Sequence, residues 1–241
     1  MSPLTVLVAG GSGASGVAAA RALSTAGHRV LTVGSDQTRI EAAAREAGGA
    51  VTPLVCDLGD LESVRGLASM IADRGFGGVD GVIHLVGGWR GAKGIEDQTD
   101  ADWEALEHSA VTTLRNVTRV FYSQLEASPH GRFAMVSSTA VSSPTAAAAS
   151  YAAAKAAAEA WTLAVADGFR RAQSVDTDTS GQHSAAVVFV VKALVDETMR
   201  RAHPERRFPG HTDVEELAAA AVGLFDQPAS ILNGQRILLA K

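Results

Sequence analysis

Short apolar runs alternate with helix-forming stretches along the whole chain. This alternation predicts an α/β fold, a doubly wound parallel sheet of about seven strands between two layers of helices (α/β/α). A second observation agrees: the first apolar run opens directly into a glycine-rich loop and then a helix, an arrangement that seats a phosphate against a helix N-terminus. A third is length. At 241 residues and 46% hydrophobic content the chain can bury one large core, so residues 1–241 read as one domain.

The elements follow in order. Leu4–Ala9 is the first strand and the alanine-rich Ala14–Ala26 the first helix. Arg29–Val33 with Gln37–Ala47, and Val51–Cys56 with Leu61–Asp73, repeat the strand–helix pair. Gly81–Val86 is a fourth strand, followed by one long helix over Asp102–Leu125. Arg132–Val136 is a buried strand and Tyr151–Arg171 another alanine-rich helix. Ala185–Val191, the helix Asp213–Phe225 and the strand Gln235–Ala240 complete the pattern. Gln173–Ser184 is polar and aperiodic, which predicts a flexible surface loop. From Lys192 to His211 the pattern weakens among arginines, so residues 193–211 are a solvated face or a lid over a site.

Composition excludes several classes of function. A net charge of -5 gives no electrostatic footprint for nucleic acid or for an acidic membrane surface. The apolar N-terminus lacks the basic start of a secretory segment, and no uncharged apolar stretch of about 18 residues suggests a membrane span. Cys56 is the one cysteine, which excludes an intrachain disulfide, suits a reducing cytoplasm and reads as a small buried hydrophobe. No metal-ligand set is assigned.

Gly10-Gly11-Ser12-Gly13-Ala14-Ser15-Gly16 lies between the first strand and its helix. Glycines there let the backbone turn tightly and approach a pyrophosphate, so this loop predicts dinucleotide binding. At the end of the second strand, where an acid would accept a ribose 2′-hydroxyl and a base would accommodate a 2′-phosphate, stand Gly34, Ser35 and Asp36, with Arg39 beyond. No acid occupies Gly34 itself, which tips the choice between NADP and NAD toward NADP. Asp57-Leu58 offers a carboxylate to an adenine amine, with equal claim as a helix-capping loop. His84 reads as a packed histidine, and Gly87-Gly88 after it would allow close cofactor approach.

The chemistry-bearing residues are Ser138, Tyr151 and Lys155. Tyr151 and Lys155, at i and i+4 on an alanine-rich helix, share a face, and a neighbouring ammonium lowers the pKa of a phenol. Ser138 closes a buried strand, where open α/β sheets place their ligands. The three can converge on one carbonyl or alcohol oxygen.

Taken together, these motifs resemble the short-chain dehydrogenase/reductase family over nearly the full chain. The resemblance implies a Rossmann-type domain in which Ser138 positions the substrate oxygen, Tyr151 exchanges the proton and Lys155 lowers the phenol pKa and holds the nicotinamide ribose. It implies cofactor contacts from Gly10, Ser12, Gly13, Ala14, Ser15, Gly16, Ser35, Asp57, Leu58, Val86, Gly87, Tyr151 and Lys155. It further implies a small-molecule carbonyl/alcohol substrate and a homodimer or homotetramer built on the two long helices. The chain also departs from the family. Its glycine spacing looks closer to that of the extended members, whose substrate domain it has no room for, and the Asn-Asn-Ala-Gly motif is His84-Leu85-Val86-Gly87 here. Ala110 falls where the Asn that completes the catalytic tetrad stands, with Asn116 facing solvent or a neighbouring helix, and Val191-Lys192-Ala193 replaces the Pro-Gly that cradles the nicotinamide amide. These departures motivate an alternative, a nucleotide-binding regulator that kept the fold and lost turnover. An isomerase or epimerase is a weaker rival. The pocket candidates Trp89, Thr139–Ser150 and Leu194–Phe208 specify no functional group.

Overall fold

In the computed structural model, which describes residues 3–174 and 181–239, β1 (Thr5–Ala9) runs through the middle of the sheet with every side chain buried. A continuous apolar run is what a strand covered on both faces requires. The chain continues through α1 (Ala14–Thr25), β2 (Arg29–Gly34), α2 (Gln37–Ala47), β3 (Val51–Val55), α3 (Leu61–Asp73) and β4 (Gly81–His84). The second half carries α4 (Asp100–Glu107), a π-helical turn (His108–Thr112), α5 (Thr113–Ala127), β5 (Arg132–Ser138), α6 (Ala149–Gln173) and β6 (Ala185–Val191). The short β7 (Leu194–Val195), α7 (Glu197–Ala202), β8 (Thr212–Asp213), α8 (Val214–Gly223), α9 (Ala229–Leu232) and β9 (Arg236–Leu238) close it.

Seven strands form one parallel sheet in the order β3-β2-β1-β4-β5-β6-β9. The chain winds outward from β1 to β3 and then returns to lay β4 against the other side of β1. That reversal opens a crevice at the carboxyl ends of β1 and β4, the place where such sheets bind ligands. Strand alternation divides the core. On one face Leu7, Val82, Phe133 and Met135 pack with Leu114, Phe121 and Phe169 from α5 and α6. On the other, Val6, Ile83 and Phe189 pack with Leu23 and Leu217 from α1 and α8. Buried Arg132 joins the far end, donating to the carbonyls of Gly131, His183, Leu224 and Gln227.

The doubly wound three-layer architecture predicted from the sequence is present, with boundaries that differ where caps decide them. The long helix expected over Asp102–Leu125 starts earlier, at Asp100, because the Thr99 hydroxyl caps it by accepting from the Asp102 amide at 3.1 Å. It is also broken by the π-helical turn. β4 stops at His84 instead of Val86, β5 runs on to Ser138, and β9 spans Arg236–Leu238. Half of the loop expected at Gln173–Ser184, and Ala240 of the last expected strand, lie outside the described residues. Residues 193–211 hold β7 and α7 and are bracketed by the β7–β8 pairing of Leu194 with Thr212 and Val195 with Asp213.

Candidate active site

The glycine loop folds as its sequence requires. Gly10 has φ +83°, and a Cβ there would meet the Leu85 carbonyl carbon and the Val86 amide at 2.9 Å. Gly16 is a packing glycine, since a Cβ would come within 2.5 Å of the Gly10 carbonyl and drive α1 off the loop. At Gly13 the space is open, and no side chain caps the first turn of α1. Free amides and the positive end of a helix dipole therefore face the crevice, which suits a pyrophosphate.

A cavity of about 460 Å³ lies above this loop. Nine of the residues expected to hold a cofactor line it: Gly10, Ser12, Gly13, Ser15, Ser35, Asp57, Leu58, Val86 and Gly87. Ala14 and Gly16 do not; exposed Ala14 and buried Gly16 lie in the first turn of α1. Asp36, Arg39, Cys56, His108, Ser109 and Thr113 also line it. Burial pushes the Cys56 thiol up to about 11, so it behaves as the packed hydrophobe expected. His108 and Thr113 belong to or adjoin the π-helical turn, which no sequence periodicity announces.

At the adenosine end Gly34 is a glycine for a local reason. A Cβ would lie 2.5 Å from the Ser12 hydroxyl, so any side chain at this place would have to turn that hydroxyl away. Asp36 instead caps α2, accepting from the Arg39 amide at 2.8 Å. Asp57 accepts from the Gly59 amide at 2.9 Å, which fixes the loop after β3. Asn116, expected to face solvent or a neighbouring helix, is buried, and its amide donates to the carbonyls of Leu58 at 3.1 Å and Gly59 at 2.9 Å. That expectation is corrected: Asn116 ties α5 to the Asp57–Leu58 loop.

A second cavity of about 420 Å³ is lined by Ser138, Tyr151, Trp89, Thr139, Ser143 and Lys192, among others. Ser138 is buried at the end of β5, where its hydroxyl accepts from the Ala140 amide at 3.2 Å. Tyr151 enters from α6. Burial pushes its phenol above the usual range, and a hydrogen bond with Ser138 pulls the other way. Lys155 is buried one turn further along, with Nζ donating to the Val136 carbonyl at 2.8 Å. Burial brings its pKa down to about 8 against the opposing field of Glu159.

The structure therefore brings Ser138, Tyr151 and Lys155 together, but the expected electrostatics need correction. The net shift of the Tyr151 phenol is upward, from burial first with the Ser138 hydrogen bond opposing it, and the Lys155 ammonium donates to a strand carbonyl. Sharing a helix face brings two side chains close without fixing where a long, flexible one ends. Gly87 brings the wall of the first cavity close to Lys155, since a Cβ on it would stand 3.2 Å from Nζ. Ala110 is buried against Leu106 of α4 and Ala154 of α6 within the π-helical turn. Lys192, at the place of the missing Pro-Gly, donates to the Pro209 carbonyl at 3.2 Å.

A doubly wound sheet with a glycine loop at its switch point and Ser138, Tyr151 and Lys155 beside it is the arrangement the sequence predicts. The profile of the family described as short chain dehydrogenase matches residues 4–177, and the chain belongs to that family. No protein of curated function matches. Among solved structures it is similar to a putative betaketoacyl-ACP reductase, with 24% identity and a TM-score of 0.81 over 98% of this chain and 95% of that one. NAD+-bound xylitol dehydrogenase has 20% identity and a TM-score of 0.81, over 98% and 97% of the two chains. The 3-ketoacyl-(acyl-carrier-protein) reductase from Brucella melitensis, complexed with NADH, has 20% identity and a TM-score of 0.81 over 98% and 96%. At such identities these likenesses show the fold. Among the described residues no helix is long and apolar enough to cross a membrane, and no His, Cys, Asp and Glu cluster could hold a metal ion.

Proposed function

We propose that this protein is an oxidoreductase that transfers a hydride between NAD(P)(H) and a small carbonyl/alcohol substrate, with Tyr151 as proton donor and acceptor. The observation that carries the reading is the meeting of Ser138 and Tyr151 in one cavity, with buried Lys155 one turn along α6 and its Nζ close against Gly87 of the cofactor-sized cavity. The glycine loop, Ser35, Asp57-Leu58 and Val86-Gly87 would hold the dinucleotide, which supplies or takes the hydride at the carbonyl carbon. Ser138 orients the substrate oxygen by hydrogen bonding. In the reducing direction Tyr151 gives its hydroxyl proton to that oxygen, and the Ser138 hydrogen bond steadies the phenolate left behind. Lys155, with its pKa drawn down toward neutrality, is matched to returning that proton.

Arg39 lines the cofactor cavity and glycine stands at position 34, which favours NADP over NAD. Residues 193–211, tethered at Pro209 by Lys192, serve as a substrate lid in this reading, within a single domain of a cytoplasmic homodimer or homotetramer. The test is a panel of ketones, aldehydes and quinones assayed with both reduced cofactors by nicotinamide absorbance, beside dissociation constants for NADH and NADPH. Turnover that Tyr151→Phe removes supports the assignment, and turnover that survives it removes Tyr151 as the acid. A clear preference for NADH would transfer ribose recognition to Asp36. Tight cofactor binding without turnover would favour a regulator that kept the fold. That second reading draws on buried Ala110 and on the Val136 carbonyl holding the Lys155 ammonium.

A further inference from the structure

One buried polar cluster beside Lys155 has no part in the chemistry above. His84 ends β4 with 2% of its surface exposed, and Ser137 on β5 has 1%. Nδ1 of His84 and Oγ of Ser137 have no hydrogen-bond partner among the described residues. His84 pairs in register with Met135, and Ser137 lies two residues further along β5, so alternation puts both on the sheet face covered by α5 and α6. Two orphaned polar atoms on one buried face cost stability, which points to a ligand for them.

Hydrogen-bond accounting fixes the imidazole tautomer. The Thr113 hydroxyl has one proton and donates it to the Ser109 carbonyl at 2.7 Å. At His84 Nε2, 3.2 Å away, the same oxygen must accept, so Nε2 carries the ring proton. Nδ1 is therefore a bare lone pair. Lys155 has three protons, one of which goes to the carbonyl of Val136, between Met135 and Ser137. Its ammonium is thus held at the strand ends that carry both orphaned acceptors. Its field reaches His84, where burial first and Lys155 second bring the imidazole pKa down to about 3 and keep the ring neutral.

We propose that His84 is a positioning residue for Lys155: its neutral, Nε2-protonated ring offers Nδ1 as acceptor to the Lys155 ammonium through one water, with Ser137 as second acceptor. His84 neither gives nor receives a proton in this role. The inference rests on the reading that Lys155 serves Tyr151. Several elements bring charged or polar groups to Lys155. α6 brings Tyr151 and Glu159, the latter paired with Arg236 of β9 at 2.7 Å. β4 brings His84, β5 brings Ser137, Ser138 and the Val136 carbonyl, and the π-helical turn with the start of α5 brings Ser109 and Thr113.

The chain has four lysines, Lys93, Lys155, Lys192 and Lys241, so the Lys155 titration can be read by NMR with carbon-labelled lysine, assigned through Lys155→Met, without any turnover. Long-range proton–nitrogen spectra of the parent should show His84 neutral and protonated at Nε2. His84→Leu removes the acceptor, and the Lys155 midpoint should move to lower pH by about one, as expected when a hydrogen bond to the charged form is lost. His84→Gln sends its amide toward Thr113 without an acceptor at the δ position and should behave like Leu. His84→Asn puts an oxygen where Nδ1 stands and should keep the parent midpoint. With an identified substrate, the basic limb of kcat should follow the same order, whereas a merely structural defect lowers kcat at every pH alike. An Nδ1-protonated ring in the parent, or an unmoved Lys155 midpoint in cooperatively melting Leu and Gln variants, overturns the inference. The parent tautomer decides it even where a variant fails to fold. A midpoint that follows His84 in a protein with no turnover would refute the proposed activity and leave this pairing standing.

Discussion

Tyr151 and Lys155 are buried to different ends, and their variants should separate accordingly. Tyr151→Phe deletes one hydroxyl and little shape, so cofactor affinity by fluorescence titration should hold while turnover falls about 10²–10⁴-fold. Lys155 predicts a pH dependence of stability. Its amine, with a reference pKa of 10.5, is brought to about 8 by burial in the fold. Between those values the unfolded chain binds more protons than the native one, so this group makes stability rise with pH, by about 3 kcal/mol over the window. Below pH 8 the buried ammonium exerts its full penalty. Urea titrations of the parent and Lys155→Met at several pH values should show the parent gaining on the variant across that window. Parallel curves would mean that Lys155 titrates normally.

At the scale of elements, the loop after β3 is held by α5 through Asn116. Asn116→Ala leaves the Leu58 and Gly59 carbonyls without their donor and should cost about 1–3 kcal/mol by urea unfolding. Because the same loop carries Asp57, cofactor affinity should weaken as well. Unchanged affinity with lost stability would separate the tether from the adenosine end of the site. The π-helical turn is the other element-scale device: it places Ser109, Ala110 and Thr113 beside His84 and α6, which a regular helix over Asp102–Leu125 would not do.

The molecule as a whole leaves one apolar stripe uncovered. Ala153, Ala156, Ala157, Ala160, Leu163 and Ala164 lie exposed along α6, on the side away from the sheet. Association through this stripe would give a symmetric closed assembly, and the expected outcome of light scattering at micromolar concentration is a dimer or tetramer. Ala157→Glu, which puts a charge in the stripe without touching the core, should lower the measured mass while leaving thermal melting of the subunit nearly unchanged. A monomeric parent would make the alanines ordinary surface helix formers.

Several features were legible in the sequence because local chemistry alone decides them. Continuous apolar runs mark strands buried on both faces, Gly10 and Gly16 mark a turn without room for side chains, and the spacing of Tyr151 and Lys155 sets one helix face. The family follows from their order. Other features depend on groups distant in the chain. Asn116 reads as a solvent-facing helix residue until the Leu58 and Gly59 carbonyls are seen beneath it, 58 and 57 residues away. His84 reads as a packed histidine until Thr113 fixes its proton. Helix periodicity predicted that Lys155 would act on the Tyr151 phenol, but the Val136 carbonyl on a neighbouring strand engages the ammonium. Sequence determines which groups enter the site and on which elements; where each buried polar atom finds its partner is settled only when strands and helices from the two halves of the chain close around it, because burial makes every unpaired donor or acceptor costly.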